Sequence, residues 1–112
     1  MEKLENKPVR FDKKIYISHG FQGKQDNIRS IESKIKELRK EYPNYLFISP
    51  VHTFSYLYND TEYIEGLEMC LSLLCLCDEV WMIDKNYLES KGVVSEIIYA
   101  HENDIPVYHI EF

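Results

Sequence analysis

The sequence has little of what breaks or staples a chain: four glycines, four prolines and three cysteines in 112 residues, with no low-complexity tract. That leaves an ordinary globular chain, long enough to bury a core as one domain. Positive charge is also short. Thirteen Lys and Arg stand against nineteen Asp and Glu, a net charge of −6, which excludes a nucleic-acid polymer as partner because phosphate backbones need a basic face. A small anion met by local donors is still allowed. No apolar run approaches the ~20 residues of a membrane span and no N-terminal stretch reads as a signal peptide, so no membrane partner and a cytoplasmic location are expected. Cys70, Cys75 and Cys77 all fall in one expected helix. Residues seven apart there are separated by about 10 Å, too far for a disulfide. A lone Cys-x-Cys is poor support for a metal, and the three read as small buried thiols.

What is present is an alternation of short apolar runs with helical periods. Met1 to Lys13 is charged and aperiodic, contains Pro8, and reads as a flexible lead-in to a domain spanning 14–112. Strands are expected at Lys14–Ser18, Tyr45–Ile48, Val80–Ile83 and Val107–Ile110. Ile28, Ile31, Ile35 and Leu38 recur at helical spacing and predict an amphipathic helix over about Asn27–Tyr42, stopped by Pro43. Ser49–Asn59 reads as a long loop, and Asn59 with Glu62 as a capping box for a helix over about Glu62–Cys77. A last helix is expected over about Val93–Asn103.

This βαβαβαβ order implies an α/β fold: a single-domain, three-layer αβα, Rossmann-like architecture with a four-stranded parallel sheet. The strand order expected is 2-1-3-4, a shortened flavodoxin-like arrangement, with its crevice at the carboxyl ends of strands 1 and 3. The turns that empty there are His19–Lys24 and Asp84–Gly92. The 62–77 helix is apolar almost all round, with a polar stripe of Glu65, Glu68 and Ser72 roughly 60° wide. Such a helix is covered on more than one side, so a homo-oligomer through it is expected.

Candidate chemistry gathers at the crevice. Glu96, four residues after Gly92, reads either as a helix-dipole carboxylate or as a nucleophile or general base. Ser90 is a helix cap or, with the amides of Gly92 to Val94, a phosphate holder. His19 and His52 follow strands and suit acid/base work or ligand hydrogen bonding, or are structural. Tyr16 is a core residue with a hydroxyl at the strand's end, and Phe21 is a loop anchor or a stacking platform for a base. No metal site and no cofactor are expected. His101 and His109 read as surface residues.

These residues carry a resemblance. Ile15-Tyr16 with Gly20-Phe21, Cys77-Asp78-Glu79-Val80, Ser90-x-Gly92-Val93-x-x-Glu96-Ile97-x-x-Ala100 and Ile105-Pro106-Val107 together resemble the nucleoside 2-deoxyribosyltransferase superfamily, which includes the 2′-deoxynucleoside 5′-phosphate N-hydrolases. Ser18-His19-Gly20, Ile48-Ser49-Pro50-Val51-His52 and Ser90 to Ile97 are similar to a small branch frequent in phage and prophage genomes. The resemblance spans about residues 14 to 110. It implies that Glu96 attacks the anomeric carbon of a deoxyribosyl group with Tyr16 beside it. It also implies that Ser90, where the transferases carry aspartate, receives a 5′-phosphate. Beside what the resemblance implies, His19 or His52 is expected to act as the acid for the departing base, unless a neighbouring subunit supplies that group, and Ser18, Gly20, Phe21, Gly92 and Val93 are expected to bind substrate. One position departs: Cys70 stands where these enzymes carry an aspartate, and Glu68 points about 200° away on the same helix. The implied function is a nucleotide-binding N-glycosidase acting on a (deoxy)nucleoside 5′-phosphate or a related nucleotide. The alternatives are a non-catalytic module that sequesters or senses such a ligand, or an interaction scaffold.

Overall fold

In a strand, successive side chains point to opposite faces, and β1 (Lys13–Ser18) buries both. Ile15 and Ile17 face one layer, where they meet Ile31, Leu38, Trp81 and Ile83. Tyr16 faces the other, where it meets Leu74, Cys77, Val80 and Ala100. A strand apolar on both sides belongs at the centre of a covered sheet, and that is where it sits. A computed structural model describes residues 11–112, so the expected lead-in up to Lys13 lies outside the described residues except at its last positions.

The sheet has four parallel strands in the order β2-β1-β3-β4, with β2 at Tyr45–Ile48, β3 at Glu79–Met82 and β4 at Val107–His109. Tyr16 pairs with Ile48 on one side and Val80 on the other, and Val80 pairs with Val107. α1 (Gln25–Glu41) lays Ile31 and Leu38 on the Ile15–Ile17 face. Burial of side chains of that size stabilises by about 1.5–3 kcal/mol each. α3 (Tyr63–Leu74) and α4 (Lys91–Glu102) cover the Tyr16 face through Leu74 and Ala100. The result is a three-layer αβα domain. No helix of the described residues is long and apolar enough to cross a membrane.

Three expectations change. Ser49–Asn59 is not a loop: it holds α2 (Pro50–Phe54) and a 3₁₀ helix (Ser55–Asp60). Pro50 at the first helical position needs no amide, and the Ser49 hydroxyl accepts the His52 N–H at 3.3 Å. Because the 3₁₀ helix runs through Asn59, no capping box forms; Glu62 is the N-cap of α3 and makes no side-chain cap. α3 ends at Leu74, capped by Cys75. Cys77 therefore lies beyond the helix, and of the three thiols only Cys77 is buried, with Cys75 exposed.

Candidate functional site

Val93, Glu96 and Ala100 are the buried residues of α4, spaced three and four apart on one face. Glu96 thus occupies a core position, with 6% of its surface exposed. Tyr16 and Ser18, two apart on β1 and so on the same face of the sheet, meet it there. The Tyr16 hydroxyl donates to one carboxylate oxygen, and the Ser18 hydroxyl donates to the other at 2.9 Å. Burial pushes the Glu96 carboxyl up to about 7, against the two donated hydrogen bonds that favour its charged form. Burial first, then the neighbouring Glu96 and Cys70, holds the Tyr16 phenol well above its ordinary range. The Cys70 thiol, on α3, faces the same pair and is pushed up to about 11 by burial and the Glu96 charge, so it stays a neutral S–H.

Glu96 forms part of the wall of a cavity of about 630 Å³, in the size range of small-molecule sites (~300–1,000 Å³). The first loop supplies His19, Gly20 and Phe21. α2 and the 3₁₀ helix supply Pro50, Phe54 and Tyr58; α3 supplies Leu67 and Cys70, with Glu62 at its N-cap; the start of α4 supplies Gly92 and Val93, with Ser90 at its N-cap. The first loop is pinned on both sides. A side chain at Gly20 would fill the gap to Asp84 Oδ2 and Ser90 Oγ, each 3.4 Å from where a Cβ would stand. The Gly20 amide donates to Asp84 Oδ2 at 3.3 Å. Gly23 has φ +69°, and a Cβ there would stand 2.9 Å from Tyr58 Cε1, so both conformation and space call for glycine. Phe21 meets Tyr58 edge to face, with ring centroids 5.0 Å apart.

Most of the residues singled out in the sequence converge here. His19, Gly20, Phe21, Ser90, Gly92, Val93 and Glu96 line the cavity, with Tyr16 and Ser18 fully buried behind Glu96. Ser90 is the α4 N-cap, its Oγ accepting the Val93 N–H at 3.3 Å. His52 is not brought to the site. Its Nδ1 lies 2.8 Å from Ser49 Oγ and its Nε2 2.9 Å from Glu32 Oε2 on α1. Among the described residues no cluster of His, Cys, Asp and Glu is arranged to hold a metal.

A family model described as a domain of unknown function (DUF7768) matches residues 13–110. The chain belongs to the DUF7768 family. The match runs from the first residue of β1 to just past β4, so both sides of the cavity lie within the DUF7768 domain. No curated protein and no solved structure matches the chain.

The sequence reading missed Asp84, Tyr58 and Glu62 as site residues of this DUF7768 domain. Asp84 had a signal: only Ile83 separates it from the end of β3, at the carboxyl end of a central strand where ligands of such sheets bind. It bridges the Gly20 amide and, through Oδ1 at 3.0 Å, the Asn86 amide. Tyr58 and Glu62 had none, because their positions depend on how the 3₁₀ helix folds back over the first loop.

Proposed function

We propose that the domain binds a (deoxy)nucleoside 5′-phosphate or related nucleotide and cleaves or transfers at its N-glycosidic bond, with Glu96 as nucleophile. The observation that carries this reading is a buried carboxyl, hydrogen-bonded by two hydroxyls, in the wall of a cavity whose rim includes a capped helix N-terminus. Near pH 7 the carboxyl is available in its charged form, and the Tyr16 and Ser18 hydroxyls fix the direction of its free lone pairs. Attack on the anomeric carbon forms a C–O bond while the C–N bond breaks. The base leaves with the electron pair and takes up a proton, and water or an acceptor base then releases the sugar from Glu96. Ser90 and the first-turn amides of α4 suit the 5′-phosphate, and Phe21, Tyr58 and Phe54 offer apolar faces to the base. A nucleotide substrate accords with a cytoplasmic location. Incubation with a panel of deoxynucleoside monophosphates, free nucleosides and NAD, followed by chromatography, tests the reading. Release of base from none of them would remove it.

Ser90→Asp separates the two roles of that residue. Aspartate caps helices as well as serine does, so thermal stability is expected to change by less than about 1 kcal/mol. Its charge would repel a 5′-phosphate, so the protein's affinity for deoxynucleoside monophosphates should fall on the order of tenfold or more while affinity for the free nucleosides is kept. Equal losses for both would refute a phosphate contact at Ser90.

A second reading, a binding module that holds such a ligand without turnover, is favoured by the neutral Cys70 thiol beside Tyr16 and Glu96, where a second carboxylate would complete an acid–base pair. It predicts ligand-dependent thermal stabilisation with no base released. In either reading we place a second copy of the chain on α3, where Tyr63 and Ile64 are exposed and Leu76, just past its end, is exposed too. Sedimentation at micromolar concentration should give more than the monomer mass of 13.4 kDa. A monomer there would argue against it.

A further inference from the structure

The side chain of His19 is 5% exposed, and the residue lines the cavity. Its Nδ1 lies 2.7 Å from the Gly20 carbonyl oxygen. A carbonyl only accepts, so this nitrogen carries the proton. Asp84 Oδ2, 3.8 Å from the same nitrogen, favours the same assignment. Nε2 is then the unprotonated nitrogen of the neutral ring. Among the described residues it has no hydrogen-bond partner, yet no buried polar side-chain atom there is left unsatisfied, so Nε2 keeps some exposure, in a residue that lines the cavity.

We propose that His19 is a specificity-determining residue: its Nε2 accepts a hydrogen bond from a donor on the ligand. Burial, the largest influence, holds the imidazole below its ordinary pKa, and the Lys34 charge acts in the same direction; the Gly20 carbonyl and Asp84 oppose them. Lys34 is itself fixed by donating to the Ile83 carbonyl at 2.9 Å. A neutral acceptor in a largely apolar wall discriminates strongly, since a ligand without the donor leaves a desolvated nitrogen unpaired. On a nucleotide the groups with this chemistry are a sugar hydroxyl, an exocyclic amine and a ring N–H of the base, and dAMP carries only the first two. The placement of the donor on a nucleotide rests on the reading proposed above, whereas the free acceptor on His19 does not.

The test has two parts. Nitrogen-15 NMR of the free wild-type protein at pH 7 should show His19 neutral, with the proton on Nδ1 and Nε2 unprotonated; a proton on Nε2 overturns the proposal without any ligand. Affinities are then measured by calorimetry in a Glu96→Gln background, which keeps the ligand intact. The probes are dAMP, its 2′,3′-dideoxy analogue and the 2′-deoxynucleotide of unsubstituted purine. His19→Phe, which keeps a ring and removes the acceptor, should weaken dAMP on the order of tenfold, and His19→Gln, which restores an acceptor, should recover part of it. The analogue that loses affinity for His19 protein but not for the His19→Phe protein identifies the donor as sugar hydroxyl or base amine. Equal dAMP affinity with and without His19 overturns the role of His19 alone. Binding of none of the probes to the His19 protein overturns the nucleotide reading, and with it the assignment of the donor.

Discussion

Glu96→Gln is expected to abolish base release and, at pH 8, to leave the protein more stable than wild type. The amide keeps the shape of the carboxyl and can still exchange hydrogen bonds with the Tyr16 and Ser18 hydroxyls, which rotate to suit. What it loses is the nucleophile and the burden of a buried charge. The sign follows from linkage. The folded-state pKa of Glu96 is raised from 4.5 to about 7. Between those values the folded protein holds a proton that the unfolded chain has already released, so stability falls as pH rises through the window and the fall is complete above it. At roughly 1.4 kcal/mol per pH unit the wild type should lose on the order of 3 kcal/mol between pH 4.5 and 8 from this group alone. Urea denaturation at pH 5 and pH 8 measures it: the variant should match wild type at the lower pH and exceed it at the higher. Unchanged base release would remove Glu96 as the nucleophile. Equal pH dependence in both proteins would refute its buried ionisation.

A residue that impairs stability in its working form is what a functional site leads one to expect, and it explains how far the site was legible in the sequence. The position of Glu96 in the first turns of α4 is local, so it could be singled out as a helix-dipole carboxylate or a nucleophile, whereas its burial on one face with Val93 and Ala100 is a finding of the structure. Its partners Tyr16 and Ser18 lie about eighty residues away, and only the strand order brings them to it. That order was legible because β1 and β3 are apolar on both faces and the helices between strands are long enough for crossovers. His19 and His52 looked alike, each in a turn after a strand. They differ because Ser49 and Pro50 start a short helix that carries His52 toward Glu32, while Gly20 and Asp84 hold His19 at the cavity. A helix of five residues is too short to show a period, so the stretch from Ser49 to Asn59 reads as loop in the sequence, and with it six of the residues that line the cavity are lost from view.

Cys70→Asp carries the other large expected effect, because it puts a second carboxyl beside Glu96 at the point where the thiol now stands neutral. Two carboxylates in a site this buried cannot both ionise freely, so the pair should titrate in two steps, with one group held protonated well above the usual carboxylate range. Folding stability should therefore fall by about 1–3 kcal/mol relative to wild type at pH 8 and by much less at pH 5, where at most one of the pair is ionised. Cys70→Ser, neutral and of similar size, should show no such pH dependence. The chemical consequence runs the other way. An ionised carboxylate beside a protonated one supplies a nucleophile and a proton donor together, an arrangement worth on the order of a hundredfold in rate. Base release by the aspartate variant at pH 6 to 7 should exceed that of the serine variant by at least about tenfold. If the aspartate variant folds, still gains thermal stability from dAMP and releases base no faster than the serine variant, then Glu96 is not poised for attack. The cavity would then serve to hold a nucleotide, with Cys70 as a neutral part of its wall.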